Sequence, residues 1–271
     1  MLKSFMRKNG LLRRPQYGTM ARRVEAICYE PRGGETEWYP SVMEGAPALA
    51  EKILTGRYVE RARQLLALLT PDAYSTYMLR YYEEGLKRFG EGWRYADIVT
   101  VLLALSEILR PTRYLEIGVR RGRSACAVAS AAPKSNLVLC DMWIQNYAAM
   151  ENPGPDFVRS ELQRVRHTGM CEFVEGNSHE TLPKYFEAHS AAAFDLITVD
   201  GDHSDDGAAQ DLCDVLPHLA VGGAVVFDDI GHPQHPGLRD VWKRLVADDP
   251  RFSTFLWDEV GYGVGFAVRK W

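Results

Sequence analysis

The sequence predicts an α/β protein built on a doubly wound sheet of seven strands, the last of them antiparallel, with a helical extension in front. Three observations carry this. Short β-rich apolar runs recur at 113–117, 136–140, 171–174, 196–199, 224–227, 252–257 and 262–268. Segments of helix length separate the first six, an alternation that calls for strands joined by crossover helices. The last two follow each other too closely for a crossover and form an antiparallel hairpin at the end of the sheet.

The elements follow in order. Residues 1–23 carry Lys3, Arg7, Lys8, Arg13, Arg14, Arg22 and Arg23 with no acid before Glu25. This reads as a basic arm that packs on a neighbouring subunit or on acidic lipid, or as a transit peptide. Residues 24–44, rich in Gly, Pro and Glu, read as a loop, so 1–44 is a basic arm and loop. From Pro47, suited to a helix start, the pattern turns helical around 47–69, 72–88 and 92–109, with breaks at Pro71 and Gly90–Gly92. Residues 45–110 are thus a helical extension or cap. It covers a sheet edge and builds a homo-oligomer interface, and its Tyr74-Tyr77-Tyr81-Tyr82 segment offers a lid or substrate wall. Residues 111–271 form the domain of the doubly wound sheet.

Composition excludes several classes. The 46% hydrophobic and 25% charged content is that of an ordinary globular chain, and a pI near 6.0 gives no reason to expect nucleic acid. No apolar run reaches the length of a membrane span. The five cysteines are odd in number and form no CxxC, which points to reduced thiols and a cytoplasmic location.

The chemistry gathers where strands end. From Asp200 to Asp229 there are eight aspartates and no Lys or Arg. Asp200 ends one apolar run and Asp228-Asp229 ends another, and ligands of a parallel sheet sit beyond the carboxyl ends of its strands. Unpaired carboxylates in that density repel one another unless solvated or neutralised by a cation, so Asp200, Asp228 and Asp229 read as a divalent metal site. Asp200 could instead cap the next helix and leave the ligand role to Asp202. His203, three residues beyond Asp200, reads as a general base or as a hydrogen-bond partner of a carboxylate. His232 and His235 contact substrate or solvent, or join the metal site and suit it to a softer ion, and Asp211 and Asp214 pair with surface cations or face water.

The first strand opens on Glu116, Gly118, Gly122 and Ser124, an E-x-G-x-x-x-G-x-S turn rather than the G-x-G-x-x-G of a dinucleotide site. The glycines allow a ligand's close approach, so a side chain at Gly118 is expected to block the ligand and spare the fold. Glu116 would repel a pyrophosphate and favour a cationic group, while Asp141 stands where an acid accepts ribose hydroxyls.

Leu115-Glu116-Ile117-Gly118-Val119-Arg120-Arg121-Gly122-Arg123-Ser124 resembles the first motif of class I S-adenosylmethionine-dependent methyltransferases, in their metal-dependent branch. Val199-Asp200-Gly201-Asp202-His203-Ser204 and Phe227-Asp228-Asp229 resemble motifs of the macrocin and mycinamicin sugar O-methyltransferases and their cephalosporin-hydroxylase-like relatives. The resemblance covers about 110–269 and implies a Rossmann-like sheet. It further implies S-adenosylmethionine lined by Glu116, Gly118, Gly122, Ser124, Asp141, Asn177 and Ser178, and Mg²⁺ or Mn²⁺ on Asp200, Asp228 and Asp229. His203 takes the catalytic position. The implied reaction moves a methyl group to the hydroxyl of a sugar or natural-product acceptor. The rival readings are an NAD-dependent oxidoreductase and a non-catalytic nucleotide-binding module.

Overall fold

The computed structural model describes residues 29–32, 35–38, 43–145 and 151–271. The basic stretch 1–23 lies outside them. Within the segment expected to be loop, β1 (Tyr29–Arg32) and β2 (Glu35–Trp38) pair as an antiparallel hairpin.

The helical extension has four members: α1 (Ala46–Ile53), α2 (Gly56–Leu68), α3 (Ala73–Phe89) and α4 (Ile98–Leu109). The expected helix 47–69 is broken at Leu54-Thr55, where Gly56 backs directly on the Gly90–Glu91 backbone and admits no side chain. The expected start near 92 moves to Ile98 because Asp97 caps α4. Its carboxylate accepts the Thr100 N–H at 2.9 Å, and Asp72 caps α3 in the same way through Ser75. Helix α4 is apolar nearly all round, as its place against the sheet requires: Val101 to Leu105 are all buried.

The second half alternates as expected. It runs β3 (Arg113–Ile117), α5 (Arg123–Ala131), β4 (Asn136–Asp141), α6 (Pro155–Arg164), β5 (Cys171–Glu175) and α7 (Ser178–Ala188). Then come β6 (Phe194–Val199), α8 (Asp205–Val215), β7 (Leu219–Asp228), α9 (Gly237–Trp242), β8 (Phe252–Trp257) and β9 (Val264–Arg269). The sheet order is β5-β4-β3-β6-β7-β9-β8; β5 to β7 are parallel, and β9 runs antiparallel to both its neighbours. The Rossmann-like seven-stranded sheet with an antiparallel last strand is therefore borne out.

Period-two alternation divides the core. Leu115 and Ile117 face the layer holding Leu182, Leu212 and Val241, whereas Tyr114 lies in the layer of α2, α4 and α5 with Leu102 and Val128. All five parallel strands end on one rim, and the reversal of strand order between β3 and β6 opens the crevice where ligands of such sheets bind.

Candidate active site

The rim has two sides. On the first, β3 runs into the glycine turn. Gly118 has φ +88° and Gly122, which caps α5, has φ +73°. A side chain on Gly118 would collide with the carbonyl of Asp200, and one on Gly122 would come to 2.8 Å from Val158. The freedom of Gly118 is thus consumed by the fold itself. The expectation that a side chain there spares the fold does not hold, because the neighbouring strand's exit occupies the space.

The acids of this side are also engaged within the chain. Glu116 is completely buried; the Tyr114 hydroxyl donates to it at 2.9 Å and accepts from the Thr198 hydroxyl at 2.8 Å, and Ser124 donates to its other oxygen. Burial, outweighing these bonds, pushes the Glu116 carboxyl up to about 8. Glu116 therefore does not stand in the open to meet a cationic group; it sits in the core as a neutral acid. Asp141 accepts the Val119 and Arg120 N–H groups at 2.9 and 2.7 Å on one oxygen, and Trp143 N–H and Asn152 Nδ2 at 2.8 and 3.1 Å on the other. Asn177 caps α7 through the His179 N–H at 3.0 Å, and Ser178 Oγ donates to Asp211 at 2.7 Å. The seven residues expected to line the donor share this side of the rim, at the ends of β3, β4 and β5.

The second side is formed by the ends of β6 and β7. Asp200, His203 and Asp229 come together, each offering a ligand atom, with all three atoms within 4.8 Å of one another. His203 Nε2 lies 3.4 Å from Asp200 Oδ1 and its Nδ1 3.5 Å from Asp229 Oδ2. Asp229 holds φ +56°, a strained position for a residue with a side chain. Asp228 adjoins the cluster without contributing to it. The hydrogen bond to Asp200, helped by the charge of Asp229 and opposed by burial, raises the His203 pKa above its ordinary 6.5. Burial and the Asp200 charge push the Asp229 carboxyl up to about 6, and Asp228 is raised well above the carboxylate range for the same two reasons. His235 packs edge-on against His203 at 5.3 Å between ring centres, and His232 lies 4.0 Å from Tyr262. The two sides touch: Gly118 abuts the Asp200 carbonyl, and Asp200 N–H donates to Ile117 O at 2.9 Å.

The comparisons with known proteins agree with this geometry. Residues 115–230, the glycine turn through the acidic pair, match the family model described as "Methyltransferase domain". Over that stretch the chain is similar to a methyltransferase domain. Its fold is that of class I S-adenosylmethionine-dependent enzymes. The O-methyltransferase TomG from Streptomyces achromogenes, solved with SAM, is 21% identical over 75% of this chain and 92% of its own, with a TM-score of 0.52. An O-methyltransferase from Bacillus cereus in complex with SAH is 19% identical over 79% and 91%, also at 0.52. Cofactor-bound Rv0187 from MTB is 18% identical over 95% and 99%, at 0.50. Nothing among curated proteins matches the sequence. The resemblance drawn from the motifs, and the enzyme class that came with it, stand.

Tyr74 belongs to the segment expected as a lid or substrate wall. Three features around the site escaped the sequence reading: the part played by Asp97, the arginine grip on Asp72 and the burial of Asp211. Asp97 takes hydrogen bonds from the buried Tyr82 and from Tyr95, and Tyr74 lies in the field of Asp97, Asp228 and Asp229, so the extension reaches the acidic side. Arg121 and Arg123 of the glycine turn grip Asp72 at 3.3 and 2.9 Å, and Arg123 lies over the Tyr74 ring at 4.8 Å. Asp211 is fully buried, not solvent-facing as expected. Its position on the inward face of α8, four residues before the buried Val215, was the available signal.

Proposed function

We propose that the protein moves a methyl group from S-adenosylmethionine to a hydroxyl oxygen of a sugar or natural-product acceptor, at a site served by Mg²⁺ or Mn²⁺. One observation carries the reading: Asp200, His203 and Asp229 converge directly against the glycine turn. This donor set fits a hard divalent cation, being rich in carboxylate oxygen and holding no Lys or Arg within the run from Asp200 to Asp229. Asp200 and Asp229 would hold the ion, with Asp228 the adjacent carboxylate. A bound cation there would polarise the acceptor hydroxyl and offset the repulsion among the acids.

The chain's own residues supply the rest. His203 is placed to take the acceptor's proton at Nε2 or Nδ1, a role worth a factor of ~10²–10⁴. Tyr74, exposed and in the field of Asp97 and Asp228, gives a flat face against which a sugar or an aromatic scaffold can be oriented. The donor side favours a ligand without phosphate. The Val119 and Arg120 amides, which in a dinucleotide fold would point at pyrophosphate, are already taken by Asp141. Gly118, Gly122 and Asn177 would border a bound S-adenosylmethionine, with Glu116, Ser124 and Ser178 behind them. A ribose would reach Asp141 by exchanging the Trp143 and Asn152 contacts for its hydroxyls.

The same proposal makes the protein a cytoplasmic homo-oligomer joined through α1 to α4, with no nucleic acid partner. Its described cysteines, Cys126, Cys140, Cys171 and Cys213, are all unpaired, which suits a reducing compartment. Among the described residues no helix is long and apolar enough to cross a membrane.

The test pairs binding with turnover. Calorimetry should show S-adenosylhomocysteine binding and no NAD binding. With S-adenosylmethionine, Mg²⁺ and a panel of catechols and deoxysugar glycosides, mass spectrometry should find acceptors heavier by one methylene, and EDTA should abolish them. NAD binding in place of S-adenosylhomocysteine, or turnover undiminished by EDTA, would refute the reading.

A further inference from the structure

Two loops of the rim meet on a single carboxylate. Asp211 is 0% exposed, and its charge lies in the protein interior between the donor-side turn after β5 and the acidic loop after β6. Its Oδ1 accepts the Ser178 hydroxyl at 2.7 Å, and its Oδ2 accepts the Asp202 N–H at 3.4 Å. A side chain on Gly201 would come to 3.0 Å from that same Oδ2, so the loop is held against it. His179 closes the network, with Nδ1 3.5 Å from Asp211 and Nε2 3.7 Å from Asp202. Among the described residues no Lys or Arg enters the group. A buried acid costs stability unless its bonds are strong, and here burial pushes the carboxyl up to about 6. The carboxylate is retained at a position where an apolar residue would pack without that penalty.

What Asp211 joins is specific. Ser178 adjoins Asn177 on the donor side, while Asp202 lies between Asp200 and His203 on the other. Hydrogen bonds in a dry environment are stiff, so displacement of one loop is felt by the shared acceptor and passed to the second. We propose that Asp211 is a positioning residue that couples the donor turn to the acidic loop, so that donor and divalent cation bind cooperatively. This rests on the reading of the rim given above. Coupling of this kind is reciprocal: each ligand must tighten the other by the same factor.

The experiment is a calorimetric cycle on the full chain. S-adenosylhomocysteine is titrated with Mn²⁺ present and with EDTA, and Mn²⁺ is titrated with and without S-adenosylhomocysteine. In the wild type each should tighten the other by roughly five- to twentyfold. Asp211→Asn keeps an oxygen for Ser178 but turns an NH₂ toward the Asp202 N–H, so the factor should fall to about one. Its affinity for S-adenosylhomocysteine in EDTA should stay within about threefold of the wild type, a split that general destabilisation would not produce. Asp214→Asn, on the same helix but bonded only to Gln210, should keep the wild-type factor. If Asp211→Asn does not fold, Ser178→Ala severs the other arm and should also abolish the factor. A wild type that binds both ligands independently overturns the proposal, as does an Asp211→Asn protein with an unchanged factor. A wild type that binds neither ligand overturns the methyl-transfer reading instead. In that case hydrogen exchange still judges the tie itself: Asp211→Asn must speed the amides of 178–179 and 202–204 together, and loosening of one loop alone refutes it.

Discussion

The two sides of the rim use the same residue types to opposite ends. On the glycine-turn side, Glu116, Ser124 and Asp141 spend their polar atoms on the chain: a buried four-membered network with Tyr114 and Thr198 in one case, the turn's own amides in the other. On the β6–β7 side, Asp200, Asp228 and Asp229 have, among the described residues, one another, the Asp229 amide and one imidazole, and no cation. The first arrangement is satisfied and lowers the energy of the empty protein. The second raises it, and the excess is what a cation can relieve. A motif residue conspicuous in sequence is therefore a builder of the site on one side and a user of it on the other.

The contrast can be broken most forcefully at Gly118. An alanine there combines φ +88° with a collision against the Asp200 carbonyl. Strain and overpacking together should cost about 3–5 kcal/mol. The expected result of Gly118→Ala is loss of cooperative unfolding or a large drop in urea midpoint. A variant with native stability that merely failed to bind S-adenosylhomocysteine would show that the glycine serves the ligand after all.

Glu116 gives a smaller effect whose sign is fixed. Its folded-state pKa, about 8, lies above its ordinary 4.5, so the native state binds the extra proton. Stability from this group is then full below about 4.5 and falls as pH rises toward 8, by a few kcal/mol in all (order of magnitude). Glu116→Gln should be near-neutral at pH 5 and more stable than wild type above pH 8, flattening the curve. An identical pH slope in variant and wild type, followed by urea unfolding, would mean that Glu116 is not the buried neutral acid described.

What could be read in advance follows the same division. The seven strands and the reversal at the antiparallel end were legible because apolar runs and helix-length spacers are local patterns. Asp200, His203 and Asp229 were legible because they stand at strand ends, where sequence position fixes the rim. The destination of a polar side chain was not legible. Whether Asp141 points outward or back to the Val119 and Arg120 amides depends on a turn geometry that the residue types do not specify. Asp97 and Tyr74 come from helices more than a hundred residues upstream of the acids they approach, and no local pattern encodes that contact. Nor did a Gly- and Glu-rich stretch announce the hairpin Tyr29–Arg32 with Glu35–Trp38.

The central claim is that the acidic side is a loaded cation site, and proton release measures it most directly. Without a cation the carboxyl of Asp229 is raised to about 6 and the His203 pKa is raised by Asp200, so near pH 6 the two share between about one and two protons. Binding a divalent ion must expel them. Titrating Mg²⁺ or Mn²⁺ at pH 6 in buffers of different ionisation enthalpy should therefore give heats that vary with buffer. The slope should correspond to release of between about one and two protons per ion, with affinity rising as pH increases to 7.5. Absence of binding at millimolar Mg²⁺ and Mn²⁺, or binding whose heat is independent of buffer, would contradict the account.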